Sequence, residues 1–184
     1  RSFPEAVEEL ATAAGLEMPR MDRTQREAQR EARTLGDVLE AVQQAWRLRL
    51  HRNEGREGLA YLRGRGLTDE TIAAFGLGWS GDGRGGLVAE LAAQDITAPL
   101  LAQAGLMRVD EHGQPKGELF FNRVTFPIHD RRGRLVSFGG RILGDGQPKY
   151  LNGPETAIFS KRRVLFGLDR ARAAVRAPRG GGHA

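Results

Sequence analysis

Cysteine is absent from this sequence of 184 residues. Its absence excludes disulfides and thiolate metal sites, and it fits a cytoplasmic protein, which is the localisation we expect. Histidine is scarce too, because only His51, His112, His129 and His183 occur, and their spacing predicts no metal site. Apolar runs of about 18 residues, which a membrane-spanning helix requires, are also missing. No signal-peptide pattern opens the sequence.

Basic charge is unevenly distributed along the sequence. Residues 1–119 carry 15 Lys and Arg against 19 Asp and Glu, whereas residues 120–184 carry 13 against 4. Within the second part, Phe120–Phe166 holds nine basic and three acidic residues. A divide of this kind indicates that one part meets a polyanion such as nucleic acid, although a solvated basic surface produces the same composition.

The spacing of apolar residues predicts an α+β fold, with a small helical part followed by a small mixed or antiparallel β-sheet and a C-terminal helix. We expect an N-terminal helix and a charged linker over residues 1–35, a helical part over 36–105, and a β-rich basic part over 106–176. The last helix is predicted over Asp169–Val175, and residues 177–184 are expected to form a disordered tail.

Local signals predict the elements in the middle of the chain. Apolar residues at helical spacing predict a long helix over Leu35–Leu50, after a charged stretch that is either a linker or a solvated helix. The glycines of Gly78–Gly86 predict a loop. Two alternating runs flank Asp130–Gly133 and predict a β-hairpin, in which Pro127 indicates an edge position or a bulge. Gly139–Gly140 permits a bend or a close backbone approach.

The segment Lys149–Asn152 combines a cation, an aromatic ring and an amide ahead of a Gly-Pro turn. These residue types are the ones that grip phosphates and position a base or a ribose. Each also has a structural interpretation. The lysine fits a solvated basic face, Tyr150 fits a half-buried packing residue, and Asn152 fits a turn residue that bonds its own backbone. Composition alone leaves these alternatives open.

The order of the residues is more specific than their types. The series RVTFPIHDRRGRLVSFGGRILGDGQPKYLNGPET, followed by IFSK, resembles bacterial DnaG-type DNA primases. It is similar to the N-terminal subdomain of their RNA-polymerase catalytic core, the segment that precedes the Toprim domain. The upstream segment Tyr61–Trp79 resembles the part of the family that contains the YL-x-x-RGL motif. The resemblance covers roughly residues 1–175.

The resemblance implies a function and a set of site residues. Members of this family are DNA-directed RNA polymerases of the primosome, which synthesise short RNA primers on single-stranded DNA during replication. Their basic groove holds the template, the RNA–DNA hybrid and nucleoside triphosphates, and other regions of the full-length protein contact the replicative helicase. Carried over to this sequence, the groove residues are Arg65, Arg141, Lys149, Tyr150, Asn152 and Lys161.

The same resemblance implies that the catalytic residues lie elsewhere. The metal-binding carboxylates of the family belong to a Toprim domain that opens with an EGY-D motif, and this sequence has no such motif. We therefore expect Mg²⁺ or Mn²⁺ to be bound by the full-length enzyme outside this chain, and zinc only in a separate N-terminal domain. This segment is expected to bind nucleic acid without polymerising. The alternatives are a non-catalytic module that binds single-stranded nucleic acid, and a structural or protein-interaction domain without DNA affinity.

Two positions depart from the pattern of the family. Gly153 stands where serine is common, and Ser137 stands where glycine or alanine is common. Neither change is expected to disturb the groove.

Overall fold

The computed structural model describes residues 22–162. The predicted N-terminal helix, the predicted helix over Asp169–Val175 and the tail from residue 177 lie outside the described residues. Every contact reported below lies within the compact unit that begins at Ala32. No helix among the described residues is both long and apolar enough to cross a membrane.

A single long helix, α1 (Arg23–Leu50), opens the described part of the chain. Its second half agrees with the predicted helix, because the buried residues recur at three- and four-residue steps. They are Leu35, Val38, Leu39, Val42, Ala45, Trp46, Arg49 and Leu50. The charged stretch before Leu35 is helical and mostly exposed, so it is a solvated helix rather than a linker.

Within residues 22–162, four short helices follow α1. They are α2 (Arg56–Gly64), α3 (Asp69–Ala74), α4 (Gly86–Ala92) and α5 (Ala98–Gln103). Thr68 is the N-cap of α3, because its Oγ1 accepts a hydrogen bond from the backbone N–H of Thr71 at 3.1 Å. Thr97 caps α5 in the same manner. The helical character predicted for this part of the chain is confirmed.

The strands of the described residues form two antiparallel sheets. A four-stranded sheet has the order β1-β4-β5-β6, and its strands are β1 (Gly78–Trp79), β4 (Arg123–His129), β5 (Leu135–Ile142) and β6 (Tyr150–Asn152). A two-stranded sheet pairs β2 (Met107–Val109) with β3 (Pro115–Glu118). Helices and antiparallel strands together confirm the predicted α+β class.

One prediction about these strands is wrong, and a second holds in one of its two alternatives. Gly78 and Trp79, predicted as a loop, form β1 and pair in register with Thr125 and Val124 of β4. Two residues are too few to show a period, so the local pattern carried no strand signal. For Pro127 the edge-strand alternative is wrong, because β4 pairs with both β1 and β5, but the bulge alternative agrees with a register shift between Ile128 and His129. The strand tolerates this proline because β1 ends before reaching it, and a register shift follows one residue later.

The predicted hairpin is present, and its loop is held by the carboxylate of Asp130. The Oδ1 atom accepts the backbone N–H groups of Arg132 and Arg134, each at 2.9 Å. Burial raises the pKa of Asp130, but the hydrogen bonds from Arg134 and Arg132 outweigh it and lower the pKa overall. The carboxylate therefore stays ionised at neutral pH and keeps the basic loop in a defined turn.

Helices cover both faces of the four-stranded sheet. On one face, the ring of Trp46 from α1 contacts the ring of Phe138, with 4.8 Å between the centroids. On the other face, Val124 packs in a buried cluster with Leu62 of α2. Val124 is also the register partner of Arg141, and register partners project to the same face. The helix α2 therefore lies on the sheet face from which Arg141 projects.

The close approach predicted at Gly139 and Gly140 is confirmed. A Cβ at Gly139 would overlap the ring of Phe126. A Cβ at Gly140 would crowd the side chains of Arg123 and Phe120, at 3.0 and 3.1 Å. Side chains at these two positions would force the surrounding core to move, which well-packed interiors resist.

A second close approach joins β5 to the segment after β6. The backbone N–H of Gly153 donates to the carbonyl of Phe138 at 2.9 Å. A Cβ at Gly153 would overlap the Oγ of Ser137. The two departures from the family pattern are therefore in direct contact, and the missing side chain at Gly153 makes room for the hydroxyl of Ser137.

Candidate nucleic-acid interface

Arg141 and Tyr150 face each other across β5 and β6. They are register partners, so their side chains leave the same face of the sheet. The guanidinium carbon of Arg141, Cζ, lies 5.9 Å from the centroid of the Tyr150 ring, within the range of a cation–π contact. The Nη1 atom of Arg141 also donates to the carbonyl of Ile142. The structure thus brings two predicted site residues together.

Tyr61 of α2 contacts the same guanidinium from the helical part of the chain. The Cζ atom of Arg141 lies 4.8 Å from the centroid of the Tyr61 ring, closer than to the ring of Tyr150. Tyr61 was not among the predicted site residues. The available signal was its spacing of four residues from Arg65, because side chains four residues apart share one face of a helix.

Arg65 lies at the C-terminal end of α2, one turn after Tyr61. Its backbone N–H donates to the carbonyl of Tyr61 at 3.0 Å, and its side chain is half-buried. Gly66 follows with a φ of 89°, a left-handed conformation that ends the helix. The helix therefore places Arg65 one turn away from Tyr61, the residue that contacts Arg141.

Lys149 and Asn152 flank Tyr150 along the edge strand β6. Lys149 directly precedes the strand and is exposed, while its carbonyl accepts the N–H of Ile142 at 3.0 Å. Asn152 is the register partner of Gly139. Its Oδ1 is buried and has no hydrogen-bond partner among residues 22–162. This oxygen is therefore not exposed to a ligand.

Lys161 lies on the loop after β6. This loop is anchored by Phe159, which is buried against Ile128 and Val136. Lys161 itself is exposed, and its backbone N–H donates to the Oε1 of Glu155 at 3.2 Å. No contact among the described residues joins its ammonium to the other predicted site residues, so its place in a groove stays a prediction.

Arg123 is a buried cation beneath this surface, and it was also missed in the sequence. It is 1% exposed, and no carboxylate in residues 22–162 pairs with it. Its Nη1 donates to the carbonyls of Gly140 and Lys149 at 3.2 and 3.5 Å. Burial lowers the pKa of the guanidinium, yet arginine stays charged at neutral pH. Because salt screens buried charges weakly, Arg123 adds positive potential to the end of the sheet that carries Arg141.

We name these residues the basic wall: Arg65, Arg141 and Lys149, with the ring of Tyr150. Among residues 22–162, no group of three or more Asp, Glu or His residues is placed to hold a metal ion. The described residues therefore do not fit the Mg²⁺ or Mn²⁺ that the resemblance implies. The wall offers guanidinium and ammonium groups for phosphates, and the ring face of Tyr150 for a base or a ribose.

Sequence comparisons converge on one family. The family whose model matches residues 45–172 is described as DNA primase catalytic core, N-terminal domain. The DNA primase of Pseudomonas putida is 42% identical over 173 residues, which cover 92% of this chain and 26% of that protein. The chain thus spans about a quarter of the length of this relative.

Two solved structures with a similar fold contain DNA. A DnaG primase catalytic domain bound to single-stranded DNA matches with a TM-score of 0.67 at 32% identity, covering 78% of this chain and 45% of that one. The RNA polymerase domain of Mycobacterium tuberculosis primase DnaG is in complex with a double-stranded DNA oligomer that has a 6-nucleotide overhang. It matches with a TM-score of 0.66 at 29% identity, covering 74% of this chain and 43% of that one.

Proposed function

The chain belongs to the bacterial DnaG-type DNA primases, as the N-terminal domain of the catalytic core, and we propose that its basic wall binds the single-stranded template. The full-length protein would synthesise short RNA primers on single-stranded DNA during replication. The observation that carries the proposal is the contact of the Arg141 guanidinium with the rings of Tyr61 and Tyr150, at the end of β5 that pairs with β6. Charge and ring faces presented together suit the binding of single strands.

Binding at the wall is directed to the sugar–phosphate backbone. The guanidinium of Arg141 presents a planar fork of N–H groups that matches phosphate oxygens, and Lys149 adds an ammonium. Tyr150 offers a ring face to a base or a ribose. Arg65 and Lys161 extend these contacts to further phosphates of the template, the RNA–DNA hybrid or a nucleoside triphosphate. None of these contacts reads base edges, so binding is tolerant of sequence and sensitive to salt.

Catalysis depends, in this proposal, on carboxylates outside this chain. Nucleotidyl transfer uses metal ions that neutralise the charge developing on phosphate. The described residues hold no group of side chains that fits such ions, and the chain covers 26% of its Pseudomonas putida relative. This domain therefore holds nucleic acid beside carboxylates that other parts of the protein supply. The contacts with Mg²⁺ or Mn²⁺, with zinc and with the replicative helicase are assigned to those other parts.

Replacing Arg141 and Lys149 together with glutamine is expected to weaken the binding of single-stranded DNA about tenfold or more, because charge-assisted hydrogen bonds to phosphate are lost. The loss should be the same for every DNA sequence. The slope of log affinity against log salt concentration should become shallower by about 0.7 for each lost contact. Fluorescence anisotropy with labelled oligonucleotides of several sequences, between about 50 and about 200 mM salt, measures both quantities.

The pair Arg131→Gln and Arg132→Gln is the matched control. These exposed arginines lie in the β4–β5 loop, at the opposite end of β5 from Arg141, and the net charge changes by the same amount. We expect this control to retain most of the affinity. Equal losses in both pairs would show that net charge rather than the wall drives binding. An unchanged affinity after the wall substitutions would support a structural or protein-interaction role instead.

The chain alone is expected to make no primers when Mg²⁺ or Mn²⁺, nucleoside triphosphates and single-stranded DNA are supplied, because its described residues hold no metal-binding group. Gel analysis of labelled RNA products is the measurement, with a full-length primase as the positive control. Primer synthesis by the chain alone would contradict the proposed division of roles. A full-length protein that binds single strands but never makes primers would favour the non-catalytic binding module.

A further inference from the structure

The guanidinium of Arg141 contacts two tyrosine rings that come from different parts of the chain. The ring of Tyr61, on α2, lies 4.8 Å from Cζ, and the ring of Tyr150, on β6, lies 5.9 Å away. Both rings pack against the buried cluster that contains Leu62, a residue with no exposed surface. The core of the domain therefore sets the positions of both rings, and through Tyr61 it sets the position of the guanidinium.

A ring differs from a carboxylate as a partner for a cation that has to bind phosphate. A carboxylate would neutralise the guanidinium and compete with phosphate for its N–H groups. A ring face attracts the cation from above and leaves the N–H groups in the guanidinium plane unoccupied. Arg141 forms no ion pair with a carboxylate in the described part of the chain, and one N–H group donates to the carbonyl of Ile142. The ring contact restrains the guanidinium without using these other donors.

We propose that Tyr61 is a positioning residue for Arg141, which holds the guanidinium in the orientation that binds a phosphate of single-stranded nucleic acid. This inference rests on the proposed function, and it adds to the wall a residue from the helical part of the chain. A side chain that is restrained before binding loses less conformational freedom when the ligand arrives. Removing the ring face of Tyr61 is therefore expected to weaken binding about three- to tenfold.

Two substitutions at Tyr61 distinguish the effect of the ring on binding from the effects of the hydroxyl and of apolar packing. Tyr61→Leu keeps an apolar side chain against the buried cluster but removes the ring, whereas Tyr61→Phe keeps the ring and removes only the hydroxyl. We expect the leucine variant to bind single-stranded DNA about three- to tenfold more weakly, and the phenylalanine variant to bind as the original chain does. Circular dichroism and thermal unfolding check the fold of each variant. If the leucine variant does not fold, Tyr61→Met supplies an unbranched apolar replacement.

The decisive measurement is the coupling between Tyr61 and Arg141. In a chain that already carries Arg141→Gln, the substitution Tyr61→Leu is expected to cause no further loss of affinity. In a chain that carries Lys149→Gln, Tyr61→Leu is expected to lower the affinity by the same factor as in the original chain, because the ring of Tyr61 contacts Arg141. A merely structural role for Tyr61 would reduce affinity in all backgrounds alike.

Three outcomes would overturn the proposal. Equal losses in the original, Arg141→Gln and Lys149→Gln backgrounds would mean that Tyr61 acts independently of Arg141. A loss with Tyr61→Phe as large as that with Tyr61→Leu would assign the effect to the hydroxyl. An Arg141→Gln variant that binds as well as the original chain would refute the proposed function itself, and the role of Tyr61 with it. That last result is distinguishable because it requires no substitution at Tyr61.

Discussion

Replacing Trp46 with alanine is expected to lower the free energy of unfolding by about 3–5 kcal/mol. Trp46 is 2% exposed, and its ring contacts those of Phe120 and Phe138, with centroids 5.5 and 4.8 Å apart. Truncation would leave a cavity between α1 and the four-stranded sheet, which the surrounding residues fill only in part. Urea unfolding followed by far-ultraviolet circular dichroism measures the loss.

Two other substitutions on α1 test whether the loss comes from burial. Leu48→Ala removes a side chain that is 52% exposed, and it should change the free energy of unfolding by no more than about 0.5 kcal/mol. Trp46→Phe keeps an aromatic ring and removes a buried Nε1–H that has no hydrogen-bond partner among the described residues. This variant should therefore recover most of the loss. Equal effects of Trp46→Ala and Leu48→Ala would contradict the packing of α1 on the sheet.

Replacing Glu90 with glutamine is expected to lower the free energy of unfolding by about 2–3 kcal/mol. The side chain of Arg49 is 6% exposed, and its Nη2 lies 2.9 Å from the Oε2 of Glu90. Its Nη1 donates to the carbonyl of Ser80 at 3.0 Å. Glutamine has nearly the same shape as glutamate, so the substitution leaves a buried guanidinium without its nearest negative charge. Because the side chain of Glu90 is itself 33% exposed, the loss stays below that of a fully buried pair.

Glu54→Gln is the matched control for this ion pair. It removes the same charge from the surroundings of Arg49, but from 3.8 Å away and from a side chain that is 48% exposed. The expected loss is at most about 1 kcal/mol, and it should shrink at high salt. Urea unfolding of both variants at low and high salt gives the comparison. A Glu90 loss no larger than that of Glu54 would show that the buried pair contributes little to the fold.

The helices could be predicted because their signals are local. The apolar period of Leu35–Leu50 lies within a few turns of sequence, and the helix predicted from it is confirmed. Strand pairing depends on residues that are far apart along the chain. Gly78 and Trp79 become a strand only because β4 lies beside them, and β4 is an inner strand only because both β1 and β5 pair with it. No local pattern carries that information.

The site residues were accessible from the sequence to different degrees. Arg141 and Tyr150 belong to two successive motifs, and the pairing of β5 with β6 brings them together. In the sequence, nothing distinguishes Tyr61 from other residues of an amphipathic helix. Its contact with Arg141 depends on the packing of α2 against the sheet. Arg123 reads as a residue of an alternating strand. Its burial, with no carboxylate partner among residues 22–162, follows from the tertiary packing around β4, which the local sequence does not specify.

The contact between Gly153 and Ser137 limits how segments can be exchanged between relatives. The space between them holds one small polar group, because a Cβ at Gly153 would overlap the hydroxyl of Ser137. Consider a chimaeric chain that takes the segment 149–153 from a primase with serine in place of Gly153, and that keeps Ser137. The two serine side chains would then occupy the same space. Glycine or alanine at position 137 would remove the hydroxyl and with it the conflict. Exchanging this part of the sheet between relatives therefore requires residues 137 and 153 to be replaced together.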